Sequence, residues 1–176
     1  MHGVVVYRWA NDWRTFRLTI SGMAAIEAAI GKPVWDIYST MEQGEFRLVD
    51  VWCTLRFGLV GGGLDFAASE RLLEKPTVAG MANALPIAVA IMRAAFMPPP
   101  GESLPDTKGD TGEAEKITLG TIYKNAFAVG LKPRDVDAMT LWEFGKCVEG
   151  WNAAHGGEKE DAPSRDEIAE LTAKYG

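Results

Sequence analysis

The segment from Phe46 to Val60 constrains the fold of this chain more than any other. Leu48, Val51, Trp52, Leu55 and Leu59 recur at helical spacing as one apolar stripe, and Val49, Cys53, Phe57 and Val60 widen it until little of the helix is left for water. A helix of that kind is expected to be buried nearly all round. Asp50 is then read as an isolated acid on the helix's solvent-facing edge. Gly61-Gly62-Gly63 is expected to stop the helix. The triplet follows a helix instead of a strand and lacks a Gly-Lys-Ser/Thr ending, so a phosphate loop is not indicated.

Ahead of this helix, Val4 to Trp9 and Thr15 to Ile20 are β-branched and aromatic runs separated by the turn formers Asn11-Asp12, which predicts a β-hairpin. Phe16, Leu18 and Ile20 would share the covered face, and Thr15, Arg17 and Thr19 the wet one. A lone hairpin is marginal in water, so its apolar face must pack on the helices that follow. Ser21 is read as the N-cap of a short helix carrying Met23, Ile26 and Ile30, stopped by Gly31 and Pro33. A second helix is expected from Val34 to about Met41. Asp65 can cap a helix through Leu73, and Thr77 another from Val78 to about Phe96 with Pro86 inside it.

Pro98-Pro99-Pro100-Gly101 and the polar stretch that follows carry too much proline, glycine and charge to pack as core. They divide the chain into a hairpin-plus-helix unit at 1–97, a flexible linker at 98–116, a small helical hairpin at 117–157 and a charged tail at 158–176. In the second unit Leu119, Ile122, Ala126 and Val129 make an amphipathic helix closed by Gly130, with Leu131 placed for the contact that accompanies a glycine C-cap. After the connection Lys132-Pro133-Arg134, Thr140 and Glu143 form a capping box, and Met139 and Phe144 stand as a hydrophobic staple. Leu141, Phe144, Val148 and Trp151 continue at helical spacing. The tail shows a further capping box at Ser164 and Glu167 with a narrow stripe of Ile168, Leu171 and Tyr175. The fold class expected is mainly α with an N-terminal β-hairpin, α+β in all.

The charge balance argues against nucleic acid and anionic membrane as partners, because a net charge of -6 repels phosphate. From Ile117 to Gly157 the basic residues Lys124, Lys132, Lys146 and Arg134 are matched by Asp135, Asp137, Glu143 and Glu149, so no DNA-reading face emerges. The chain opens without a signal-type segment, and the apolar stretch from Gly80 to Met97 is broken by Asn83, Pro86 and Arg93, so a cytoplasmic protein is expected. Only His2 and His155 could serve a catalytic triad or a histidine metal site, and neither has partners at ligand spacing. Cys53 and Cys147 are read as reduced buried thiols. No enzyme, cofactor or metal is expected.

Six tryptophans remain. Trp52 falls within the broad apolar helix and is read as core. Trp9, Trp13, Trp35, Trp142 and Trp151 fall at strand ends, loops or helix edges beside charges, and tryptophan is a frequent interface anchor. With Phe144 they are the candidate partner-binding residues.

The hairpin Val4 to Ile20, the Ser21-Gly22-Met23-Ala24-Ala25-Ile26-Glu27-Ala28-Ala29-Ile30-Gly31 segment and Leu55-Arg56-Phe57-Gly58-Leu59-Val60-Gly61-Gly62-Gly63 resemble a family encoded in the tail gene clusters of gene transfer agents and related prophages. Ala126-Phe127-Ala128-Val129-Gly130-Leu131-Lys132-Pro133 and Met139-Thr140-Leu141-Trp142-Glu143-Phe144 are similar to a second family, of phage tail assembly chaperones. That family commonly carries an aromatic pair shortly after the proline, where this chain has Asp135-Val136-Asp137. The resemblance implies a chaperone in the bacterial host cytoplasm that coats the helical tape measure protein and helps recruit tail tube subunits. The first unit would supply self-association or tube contact, and the second tape measure binding. A virion tail component, of tube or completion type, is the first alternative. A small DNA-binding regulator is the second.

Overall fold

The computed structural model describes residues 3–74, 78–99, 101–102 and 118–155. Two strands, β1 (Val4–Trp9) and β2 (Asp12–Arg17), precede α1 (Ile20–Ile30), α2 (Val34–Glu42), α3 (Leu48–Gly61), α4 (Phe66–Leu73) and α5 (Val78–Phe96). Then come α6 (Leu119–Ala128), α7 (Pro133–Asp137) and α8 (Leu141–His155). The expected α+β class is the one found. Most of the linker at 98–116, the Thr77 cap and the tail with its Ser164 capping box lie outside the described residues.

The hairpin turns earlier than expected. Ala10 and Asn11 take φ of 49° and 65° and are the only residues between the strands, so Trp9 pairs with Asp12 and Val5 with Phe16. A two-residue loop with both φ positive suits the right-handed twist of the strands. Shortening the turn moves β2 back, and Ile20 leaves the strand to open α1. Thr19, not Ser21, caps that helix, its side chain accepting from the Gly22 N–H. Thr19 is accordingly buried instead of lying on a wet face.

α3 lies at the centre. Val51, Leu55 and Leu59 are buried with Phe16 and Leu18 of the hairpin segment, Ile26 of α1, Ile37 and Tyr38 of α2, and Ile91 and Met92 of α5. Fully burying an aliphatic side chain of this size contributes roughly 1.5–3 kcal/mol. Asp65 caps α4 through a 3.1 Å bond from the Ala68 N–H. Gly31, at φ 74°, closes α1.

The glycine triplet does more than stop α3. A Cβ on Gly61 would lie 2.1 Å from the Arg17 carbonyl oxygen, and one on Gly62 would lie 2.1 Å from that of Thr15. The end of the helix therefore rests directly on the backbone of β2, at a separation open only to glycine.

α6, α7 and α8 dock on the elements before residue 98. Ile20 is buried in a second cluster with Ile122, Ala126, Val136 and Phe144. The Ile20 N–H donates to the Met139 carbonyl at 2.8 Å, and the Ser21 hydroxyl donates to that of Asp137 at 3.0 Å. Arg17 donates to the Ala138 carbonyl and to the Glu143 carboxylate, each at 2.6 Å. Glu143 also completes the expected capping box, accepting from the Thr140 N–H at 2.8 Å while its own N–H donates to the Thr140 hydroxyl. The connection after Lys132 is the short helix α7 with Pro133 at its start. Val136 fills the core there, and Tyr123 donates to Asp137. The Asp135-Val136-Asp137 sequence thus has a structural use in place of the aromatic pair.

Gly61→Ala or Gly62→Ala forces the helix off the strand and is expected to lose at least about 2 kcal/mol of stability. Gly145→Ala, in α8 with nothing within 4 Å of the added methyl, is expected to gain about 0.5–1 kcal/mol. Urea denaturation of the three variants measures both signs.

Candidate interaction surface

The first turn of α3 departs from the expected stripe. Leu48 is 52% exposed and Val49 44%, and Phe46 just before the helix is also exposed. The stripe holds from Val51 onward, but the helix enters from outside the core, so its first residues project past it. Phe46 and Leu48, with Val51, Trp52, Ala84 and Leu85, line an apolar depression of about 50 Å³.

The helix end behind this patch is fixed by Asp50, which is buried instead of solvent-facing. Its carboxylate accepts from the Arg47 backbone N–H at 3.0 Å and from the Arg47 guanidinium at 2.7 Å. Burial alone would raise the Asp50 pKa, but the hydrogen bonds and charge of Arg47, with a smaller contribution from Lys32, outweigh it and hold the carboxyl below its ordinary value. Asp50 also sits in the first turn, where a carboxylate suits the helix dipole.

A second apolar region lies on the outer face of the hairpin. Val6 is 54% exposed, and Trp13 is 69% exposed. Val6 pairs with Thr15 and Trp13 with Arg8 across the ladder, so all four side chains share this face.

The other tryptophans are distributed differently. Trp9 is buried and meets half-buried Trp52 edge to face at 6.0 Å, so it is a core side chain instead of an exposed anchor. Phe144 is likewise buried, in the second cluster. Trp35 is exposed, but its ring touches Phe96 at 5.4 Å and Tyr38 at 5.6 Å. Tyr38 in turn donates to Glu42, which also accepts from Arg93 at 3.1 Å; burial first, then that hydrogen bond, raises the Tyr38 pKa. Trp142 lies under the Lys146 ammonium at 5.8 Å, and Trp151 stacks on His155 at 4.5 Å. No single patch collects the candidate residues. Phe127 is the most exposed large apolar side chain among the described residues, at 84%, and falls between the stripe positions Ala126, in α6, and Val129, which caps it. Its position off the stripe was the available signal for it.

Cys53 and Cys147 are free and half-buried, and burial raises the Cys53 pKa, away from a reactive thiolate. Among the described residues no group of three His, Cys, Asp or Glu side chains could hold a metal ion, and no helix is long and apolar enough to cross a membrane.

A family model described as phage tail tube protein, GTA-gp10, matches residues 2–98. The chain belongs to that family. The match spans the hairpin and α1–α5, so the family's unit is the one organised around α3, and both apolar regions lie within it. Residues 118–155 lie beyond the match. No curated protein and no solved structure matches the chain. A tail-associated role follows from family membership, and the family's description fits a tail component at least as well as a chaperone.

Asp50→Asn should cost about 1–3 kcal/mol at neutral pH by weakening charge-assisted bonds to Arg47. Because the folded pKa is depressed, the stabilisation is fully present above the ordinary value of 3.8 and is lost as pH falls through the lower folded value. Urea unfolding of wild type and Asp50→Asn across that range should show the two converging in acid.

Proposed function

We propose that the protein acts at the phage tail tube as a binding component of the tail, without catalysis or cofactor, and that it is assembled in the host bacterial cytoplasm. Membership of the tail tube family over residues 2–98 carries this reading. The surface is consistent with it: Leu48 and Val49 beside the depression, and Val6 and Trp13 on the hairpin, are apolar side chains held out on elements that are themselves well anchored.

A second reading is an assembly chaperone that keeps the tape measure protein soluble and recruits tube subunits to it. The apolar depression at the start of α3 supports it, since an amphipathic helix is recognised by seating its apolar side chains in apolar recesses. In this reading residues 117–157 supply the tape measure contact, with Trp142 and Trp151 of α8 as its candidate anchors.

The two readings separate in one experiment. The chain is co-produced with the tube and tape measure proteins encoded beside it, tape measure solubility is assayed, and finished particles are probed for the chain. Presence in particles supports a tail component. Absence from particles, with tape measure solubility dependent on the chain, supports a chaperone. Leu48→Glu with Val49→Glu should reduce partner capture at least about tenfold while changing stability by no more than about 0.5 kcal/mol per site, as exposed positions allow.

A further inference from the structure

The two edges of the hairpin are treated differently. Trp9 and Asp12 flank a two-residue turn and exchange hydrogen bonds, as do Tyr7 with Arg14 and Val5 with Phe16 at alternate rungs. The backbone groups of Trp13, Thr15 and Arg17 therefore point away from β1, and those of Val4, Val6 and Arg8 point away from β2.

On the β2 side a bond or a close contact meets an outward backbone group at each of these positions. The Trp13 N–H donates to the Asp12 carboxylate at 2.9 Å, and the carbonyls of Thr15 and Arg17 lie under Gly62 and Gly61. On the β1 side, among the described residues, no hydrogen bond reaches the outward groups of Val4, Val6 or Arg8. No proline, lysine or bulge blunts that edge either, although such devices are usual where an edge is meant to stay unpaired.

We propose that β1 pairs with β1 of a second copy of this chain, antiparallel about a two-fold axis at Val6, to make a continuous four-stranded sheet. The strand suits itself in this register. Val6 faces Val6 of the other copy, and Val4 faces Arg8, so all the outward groups meet outward groups and each pair can exchange N–H to carbonyl bonds in both directions. The one charge on β1, Arg8, falls opposite a valine and not opposite its own copy. Shifting the pairing by one residue would set outward groups against inward ones. Pairing also covers exposed Val6 and gives a two-stranded sheet the further strands that make a sheet self-sustaining. The inference rests on edge geometry and does not depend on the tail tube reading.

Sedimentation of the full chain tests it. The wild type is expected to be dimeric. Val6→Lys and Val6→Glu each set like charges face to face, and should weaken the dimer at least about fivefold, with unchanged far-ultraviolet circular dichroism. Mixing the two variants should restore a heterodimer, a result that a folding defect would not produce and that this register requires. A monomeric wild type, or Val6→Lys and Val6→Glu homodimers as tight as wild type, overturns the proposal. So does a monomer whose capture of a tail protein is lost in Val6→Lys, which would give the edge to a foreign strand.

Discussion

The close approach of α3 to β2 is the contact on which the rest of the fold depends. A helix normally keeps its axis far enough from a strand for side chains to fill the gap. At Gly61 and Gly62 there are no side chains, and the helix end lies against the carbonyls of Thr15 and Arg17. That contact sets the angle of the hairpin to the central helix, which places Phe16 and Leu18 in the main core. It also sends the chain after Arg17 straight into α1 with Thr19 as its cap. Because the hairpin is held by its edge as well as by its face, it persists as a two-stranded unit, which is rarely stable alone.

Periodic segments were legible in the sequence because burial imposes the period. α1 could be read from its stripe and its glycine stop though not from its cap, α4 from its Asp65 cap, and α8 from its stripe, and the Thr140–Glu143 box is formed as its spacing implies. What could not be read was the consequence of contacts between distant segments. Asp50 looked like a surface acid because spacing says nothing of Arg47 folding back over it. Leu48 belonged to the stripe by periodicity, but exposure there is decided by where the helix enters the core. Ile20 continued the strand pattern, yet a turn one step tighter made it the first residue of α1 and gave it to a different cluster. The tryptophans illustrate the same limit, since Trp9 and Trp13 are four residues apart with similar neighbours, and only the pleat and the packing of Trp52 put one inside and the other out.

The interface between the two helical units has a mixed character. Its apolar part is Ile20 seated among Ile122, Ala126, Val136 and Phe144, while Arg17, Ser21 and the Ile20 N–H supply bonds to Glu143 and to the carbonyls of Asp137, Ala138 and Met139. Those carbonyls end α7 and the turn after it, where helical partners run out. The first unit thus completes the hydrogen bonding of the second at the place where its own backbone leaves acceptors free. Such bonds add orientation more than affinity, because each replaces a bond to water.

Dependence between the units runs mainly one way. The main core closes around α3 almost entirely with residues before 98, and among the described residues Leu141 is the one partly buried contribution to it from the later helices. The second cluster, by contrast, is small and includes Ile20 of the first unit among its few buried side chains. A helical hairpin of that size buries too little of its own surface to be stable unaided. The family match ends at residue 98, next to the end of α5 at Phe96. That boundary coincides with the end of the main core, which is where a unit able to fold without its neighbour should end.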